Sequence, residues 1–405
     1  MRDEDEMTDE RAVRLLLPLR EEPEGPARID VARSMVEGRR RRVLRRWSGG
    51  AALIALTSVA AGGGTLAVAA LNDGTPVPGP ATTAAPSAVA AAPDVPVGCE
   101  VTRLPTDGVK KSLVTSGDPS GRYLAGRLYR AASNTILWRD GRILATPRVP
   151  GDDASFRDVN RSGVAVGGSF VTSDRQQAYV YRDGRVQELD GRGTTATAIN
   201  DAGVIVGSMG PAYSGVPVRW DSAGAKVTPL RLPEGATTGS ADGIAEDGTV
   251  VGSVAPDDGS EASGYLWLPD GTGRTMSLPP VDGEKATFFW PESIVDGWVA
   301  GRAVLDKPDG SRWFTAYRYR IADGTYEKVD GPGYPVLIAA NGWVVSGTQQ
   351  PVITADDRLF DLPLHPDADD YQISSISADG RVIGGSGAAL GGNQVGNDPL
   401  MWTCR

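Results

Sequence analysis

The sequence predicts an all-β fold, a seven-bladed β-propeller. Three observations carry that prediction: a glycine-turn motif that recurs seven times, an aromatic strand that follows most copies, and a last copy that lacks its final strand. The clearest copy is Ala198-Ile-Asn-Asp-Ala-Gly203-Val-Ile-Val-Gly207. Its relatives centre on Gly163, Gly248, Gly297, Gly342 and Gly380, with a weaker first copy at Gly121. The turn glycines are 42, 40, 45, 49, 45 and 38 residues apart, which is blade spacing.

Each copy reads as two strands and a tight turn. Asn or Asp before Gly favours the turn backbone of a hairpin. The apolar run that follows, such as Val204-Ile-Val-Gly207, suits a strand covered on both faces. The second glycine marks a place where backbones crowd toward the axis. A second half follows: Ile136-Leu-Trp138-Arg-Asp-Gly141, Ala178-Tyr-Val-Tyr181-Arg-Asp-Gly184, Val218-Arg-Trp220, Gly264-Tyr-Leu-Trp267 and Ala316-Tyr-Arg-Tyr319. An aromatic strand, a turn and an outer strand such as Arg185-Val-Gln-Glu-Leu189 bring the count to four strands per repeat. The sixth copy, over Pro351 to Leu362, barely matches.

The seventh copy stops after its third strand, Leu400-Met-Trp402-Thr-Cys404-Arg405. At the other end of the domain, Cys99-Glu-Val-Thr-Arg-Leu-Pro105 reads like the outer strand Lys226-Val-Thr-Pro-Leu-Arg-Leu-Pro233. The N-terminal segment is therefore expected to complete the last blade. Cys404 would end its third strand and Cys99 begin its fourth, so the chain's two cysteines fall at one edge and are expected to form a disulfide.

The first hundred residues differ in kind. Residues 1–46 form an acidic tail that ends in a basic block, Arg39 to Arg42 with Arg45 and Arg46. Residues 47–71 carry no charge and are long enough to cross a bilayer as one helix, since about 20 residues suffice. Arginines before the span place the N-terminus in the cytoplasm. Two readings stand for it: an uncleaved anchor, which the long leader favours, and a signal peptide cut near Ala67-Val-Ala-Ala70. Residues 72–98 are a Pro/Ala/Thr-rich linker with a reach on the order of 80 Å. The propeller is then expected over 99–405, outside a bacterial cell, as a monomer.

The repeats resemble the HAF family of extracellular repeats, whose pattern is Ile-Asn-x-x-Gly-x-Val-Val-Gly followed by an Ala-Phe-x-Trp strand. The resemblance covers residues 115–405 or so, and the aromatic strand departs from it, with Ala-Tyr or Gly-Tyr in place of Ala-Phe. It implies a surface location more firmly than any activity.

The composition narrows function. A formal net charge of -10 supplies no basic field for nucleic acid. One histidine, His365, and two cysteines leave too few ligands for a common zinc site, and no cofactor is expected. No Gly-x-Ser-x-Gly elbow or sialidase Asp-box is present. Loops opposite the short turns are the expected working face. Phe288, Phe289 and Trp290 are candidates there for stacking on a sugar or another chain, against the alternative that they fill a seam between blades. Asp257, Asp258 and Glu261 are candidates for holding a cation, against the alternative of a solvated loop. The expected function is binding of an extracellular protein, glycan or envelope polymer. The alternatives are a transmembrane sensor whose residues 1–46 meet a cytoplasmic partner, and a propeller glycoside hydrolase or lyase.

Overall fold

A computed structural model of the chain describes residues 96, 98–130, 132–172, 175–211, 214–256, 262–331, 336–347, 349–388 and 397–405. The predicted tail, apolar span and almost all of the linker lie outside the described residues. So do Asp257, Asp258 and Glu261. Among the described residues no helix is long and apolar enough to cross a membrane.

The described chain forms seven four-stranded antiparallel sheets, the blades of a propeller. A short N-terminal strand, β1 (Glu100–Arg103), precedes them. Blade 1 is β2 (Ser112–Gly117), β3 (Tyr123–Leu128), β4 (Thr135–Arg139) and β5 (Arg142–Ala145). Blade 2 is β6 (Asp152–Val159), β7 (Ala165–Phe170), β8 (Gln176–Arg182) and β9 (Arg185–Glu188). Blade 3 is β10 (Thr194–Ile199), β11 (Ile205–Met209), β12 (Val216–Trp220) and β13 (Thr228–Pro229). Blade 4 is β14 (Thr238–Ile244), β15 (Val250–Ala255), β16 (Ser263–Trp267) and β17 (Gly273–Thr275). A small hairpin, β18 (Pro280–Val281) with β19 (Glu284–Lys285), follows it. Blade 5 is β20 (Phe288–Val295), β21 (Trp298–Asp306), β22 (Arg312–Arg320) and β23 (Tyr326–Lys328). Blade 6 is β24 (Leu337–Ile338), β25 (Val344–Ser346), β26 (Val352–Ala355) and β27 (Arg358–Asp361). Blade 7 is β28 (Asp370–Ile376), β29 (Val382–Ala388) and β30 (Asn397–Thr403), completed by β1.

The turn between first and second strands holds the repeated glycine, and all seven of these glycines have φ between 72° and 89°. The second glycine answers to a different crowding from the one expected. In blades 1 to 5 and 7 the first strand carries a β-bulge. In blade 3 the bulge falls between Ala196 and Ala198, and Gly207 sits opposite it. A Cβ on Gly207 would lie 1.8 Å from the Thr195 carbonyl oxygen. The close approach is to the bulged strand of the same blade, not to the axis.

The apolar core is seven clusters, one in each seam. Between blades 2 and 3, Val166 and Val180 meet Ile199, Ile205, Val218 and Trp220. Between blades 5 and 6, Ala300 meets Val336, Ile338 and Val344. Polar side chains of the third strand tie several seams on their outer side. The indole Nε1 of Trp220 donates to the Asp190 carbonyl just past the preceding blade's outer strand, at 2.9 Å. Trp138, Trp267 and Trp402 do the same to Pro105, Arg231 and Pro363 at 2.7–2.8 Å. Blade 6 carries Thr354 at this place, and its hydroxyl donates to the Asp330 carbonyl at 2.8 Å. A hydroxyl thus keeps the bond where the indole is lost.

The ring closes as the strand count required. β1 pairs with β30 in the register Glu100↔Thr403 to Arg103↔Leu400. Cys99 and Cys404 form a disulfide across 305 residues. The Leu104 N–H extends the pairing to the Pro399 carbonyl at 2.8 Å. Since Cys404 follows a third strand, the chain enters the ring on the face of the short turns, and the longer connections occupy the opposite face.

Candidate functional site

On the long-loop face blade 5 stands above its neighbours. β21 and β22 pair over nine residues each, from Trp298↔Arg320 to Asp306↔Arg312. The facing strands of blade 6, β24 and β25, have two and three residues. A blade strand is normally covered on both faces, so residues beyond the neighbour's reach are left in water. Trp313 and Phe314, one on each face of β22, are 44% and 45% exposed.

This ledge mixes aromatic rings and cations. Phe288, Val304 and Phe314 align across three strands on one face, and Trp290 and Arg302 follow one step inward. The Arg302 guanidinium lies 5.2 Å from the Trp290 ring and 5.3 Å from the Phe314 ring. Its Nε donates to Glu292 at 2.6 Å, and both side chains of that pair are only 11% exposed. Arg312 covers Phe288 at 5.4 Å and is held by Asp306. Lys307 covers Trp313 at 4.8 Å and pairs with Glu284 on the small hairpin. The Tyr317 hydroxyl donates to the Pro280 carbonyl at 2.6 Å, which braces that hairpin against blade 5. The cations are thus pre-positioned by carboxylates and rings, and the exposed aromatic faces offer flat apolar area to a ligand.

The three aromatic candidates read from sequence divide. Phe289 fills the seam between blades 4 and 5 and is 1% exposed. Phe288 and Trp290 are half-buried parts of the ledge. Trp313 and Phe314 were missed. Two consecutive aromatics in a strand must face opposite ways, and that was the available signal. His365 sits in a turn closed by the Ala368 N–H at 3.1 Å, and its Nδ1 accepts from the Asp367 N–H at 3.3 Å. Among the described residues no three His, Cys, Asp or Glu side chains group as metal ligands would.

The central channel is lined by the first strands. Their bulge residues are Thr115, Arg157, Thr197, Asp242, Glu292 and Ser374. Arg157 is exposed to solvent. Burial pushes the Asp242 carboxyl up to about 6, opposed by the nearby Ser240 hydroxyl and the charge of Arg157. In the seam between blades 2 and 3, burial pushes Asp158 up to about 7 although it accepts the Ile199 and Val159 N–H groups at 2.8 and 2.9 Å. Surface depressions of about 440 and 830 Å³ lie elsewhere, beside Cys99 and Leu362 and on the outer rim near Glu188 and Ala223. Neither gathers the ledge or channel residues.

No protein-family model matches the chain, and no curated protein matches it in sequence. Solved structures do match in fold. An oligogalacturonate lyase from Vibrio parahaemolyticus is 12% identical with a TM-score of 0.50, over 75% of this chain and 93% of that one. The β-propeller domain of the Trilobed protease from Pyrococcus furiosus, described as having an open velcro topology, is also 12% identical with a TM-score of 0.50, over 72% and 96%. At such identities the likeness is one of fold, and residues 99–405 share with these proteins the β-propeller architecture, here seven-bladed and covalently clasped.

Proposed function

We propose that this chain is a membrane-anchored extracytoplasmic binding propeller, held by residues 47–71 and the 72–98 linker, that takes its ligand on the blade 5 ledge. The exposed pair Trp313 and Phe314 carries the reading. Large aromatics left in water on a rigid scaffold cost solvation, and surfaces that bind sugars or chains use such rings. The ledge lies on the face opposite the one where the chain enters, so a tethered ring would turn it away from the membrane. The likeness of the repeats to HAF repeats, a disulfide clasp and the arginine-flanked apolar span all support an extracytoplasmic setting.

The test compares full-length protein with a Trp313→Ala, Phe314→Ala double variant on a glycan array and on purified envelope polymers. Retention at least tenfold weaker in the variant, with the disulfide and thermal midpoint unchanged, is expected. Equal retention would move the site off the ledge. Cleavage of any polymer by the wild type would move the assignment to a hydrolase or lyase. Protease added to intact cells should release the propeller and leave a small cytoplasmic stub. A soluble product starting near residue 71 would show instead that the apolar span is a cleaved signal peptide.

A further inference from the structure

We infer that blade 1 carries a second ligand site on the long-loop face, separate from the ledge, where Lys111, Tyr129 and Arg127 hold an anionic group of a polyanionic chain. Tyr129 follows β3 and is 42% exposed. The Lys111 Nζ lies 4.2 Å from its ring centroid, and the Arg127 guanidinium carbon 4.4 Å. The two charges are therefore within about 9 Å of each other, closer than the roughly 10 Å over which 0.1 M salt screens a charge. The ring face attracts each cation, while the cations repel one another. An anion between them relieves that repulsion. Arg127 is paired with Asp153, and among the described residues no carboxylate pairs with Lys111.

Three adjoining loops hold the cluster in place. The Tyr129 N–H donates to the Lys111 carbonyl at 3.1 Å. Asn134, in the same loop as Tyr129, exchanges two bonds with Val149 at 2.8 and 2.9 Å. Arg130 donates to the Ser133 hydroxyl at 2.7 Å and lies 3.5 Å from Asp107. β6 departs from the other first strands beside this place. It has an irregularity between Asp152 and Ser155 besides its bulge, and Asp153 there has a φ of 54°. Among the described residues every other non-glycine with positive φ lies in a turn. This strained strand sets its carboxylate against Arg127 and so fixes the guanidinium beside the ring. Lys110, Lys111, Arg127, Arg130 and Arg148 outnumber Asp107, Asp152 and Asp153 on these loops, in a protein whose formal net charge is -10. An anion repelled elsewhere is drawn here. The forks of Arg127 and Arg130 are already engaged, so the cluster offers charge more than a bidentate fit. Each exposed cation is weak alone, and a chain that repeats its charge engages several at once.

Calorimetric titration of the full-length protein with polyphosphate, hyaluronan and dextran, at about 0.05 and about 0.3 M NaCl, tests the site. Both anionic chains are expected to bind at least tenfold more tightly than dextran at low salt and to lose at least tenfold at high salt. The tighter of the two identifies the anion as phosphate or carboxylate, and equal affinities show that charge alone is read. Lys111→Gln and Arg127→Gln should each lose at least fivefold in affinity, and Lys111→Arg should retain it. Lys226→Gln, which removes the same charge from an exposed position on blade 3, should change nothing. The Trp313→Ala, Phe314→Ala variant should also leave these values unchanged, so failure of the ledge reading and failure of this one are distinguishable. Equal binding of dextran, salt-independent affinity, unaltered affinity in Lys111→Gln, an equal loss in Lys226→Gln, or tightest binding of a single-stranded oligonucleotide would each overturn the inference. If Arg127→Gln fails to fold, the two Lys111 variants still decide it.

Discussion

The side-chain amide of Asn160 in blade 2 donates to the backbone carbonyl of Asn200 in blade 3 at 3.1 Å. Asn200 repeats the move one blade on, donating to the Ala245 carbonyl at 3.4 Å. The oxygen of each amide meanwhile closes its own turn, accepting from Val164 and from Val204 at 3.1 and 3.0 Å. Blades 6, 7 and 1 are linked at the same level by backbone bonds, Ala340 to Ala378 and Ala378 to Pro119. The repeated asparagine is thus both a turn residue and a link between blades.

Asn160→Ala should lower unfolding stability by about 1–3 kcal/mol, because it removes the acceptor of two turn N–H groups and leaves the buried Asn200 carbonyl without the amide that bonds it. Asn160→Asp should be worse at pH 7 than at pH 4, since a carboxylate would face the Asn200 carbonyl. Urea unfolding at the two pH values measures both, and equal stability of the three proteins would remove the interblade role.

The disulfide spans 305 residues. Closing a loop of that length gives about 5–6 kcal/mol in the chain-entropy model, an upper bound in practice. Cys99→Ser should lower the unfolding midpoint and speed proteolysis near residue 98 without changing the blade count. Non-reducing mass spectrometry of the wild type checks the bond itself. Two free thiols in protein made under oxidising conditions would argue against the clasp.

Gly207→Ala should cost about 2–4 kcal/mol, because the new methyl collides with the Thr195 carbonyl, a backbone atom that cannot rotate away. Gly224→Ala is the control: a Cβ there meets nothing within 4 Å, and the change should stay within about 1 kcal/mol. Comparable midpoints for the two variants would contradict the bulge contact.

Asp158 sets a pH dependence. Its carboxyl is pushed up to about 7 by burial, so the folded protein keeps a proton that the unfolded chain releases near pH 4. This contribution is fully present below the unfolded value and is lost as pH rises through about 7. One such group gives a slope of at most about 1.4 kcal/mol per pH unit. Asp242, pushed up to about 6, acts in the same direction. The thermal midpoint should fall from pH 5 to pH 7, and Asp158→Asn should shallow that fall while leaving the Asp242 share. An unchanged slope would show that Asp158 is ionised in the folded state.

Much of the molecule was legible from residue order alone. Seven turn glycines counted the blades, and the missing fourth strand after Trp402 placed β1 and brought Cys99 to Cys404. These features are local: a turn needs its glycine and a strand its apolar run, whatever lies beyond them. Blade 6 was harder because Thr354 replaces the aromatic residue that marks other third strands, and its equivalence lies in a hydrogen bond to Asp330 that no spacing reveals.

The candidate site on blade 5 belongs to the tertiary structure. Phe314 would be an ordinary interior residue in a strand with tall neighbours, and it is exposed on the side of blade 6, where β24 and β25 are short, while Trp313 is exposed on the opposite face of β22. Sequence alone determined the repeat, its count and its closure, since hydrogen-bonded turns and strands are written in consecutive residues. Which side chains meet water, and which charges share a space, was decided by the heights and angular positions of neighbouring blades.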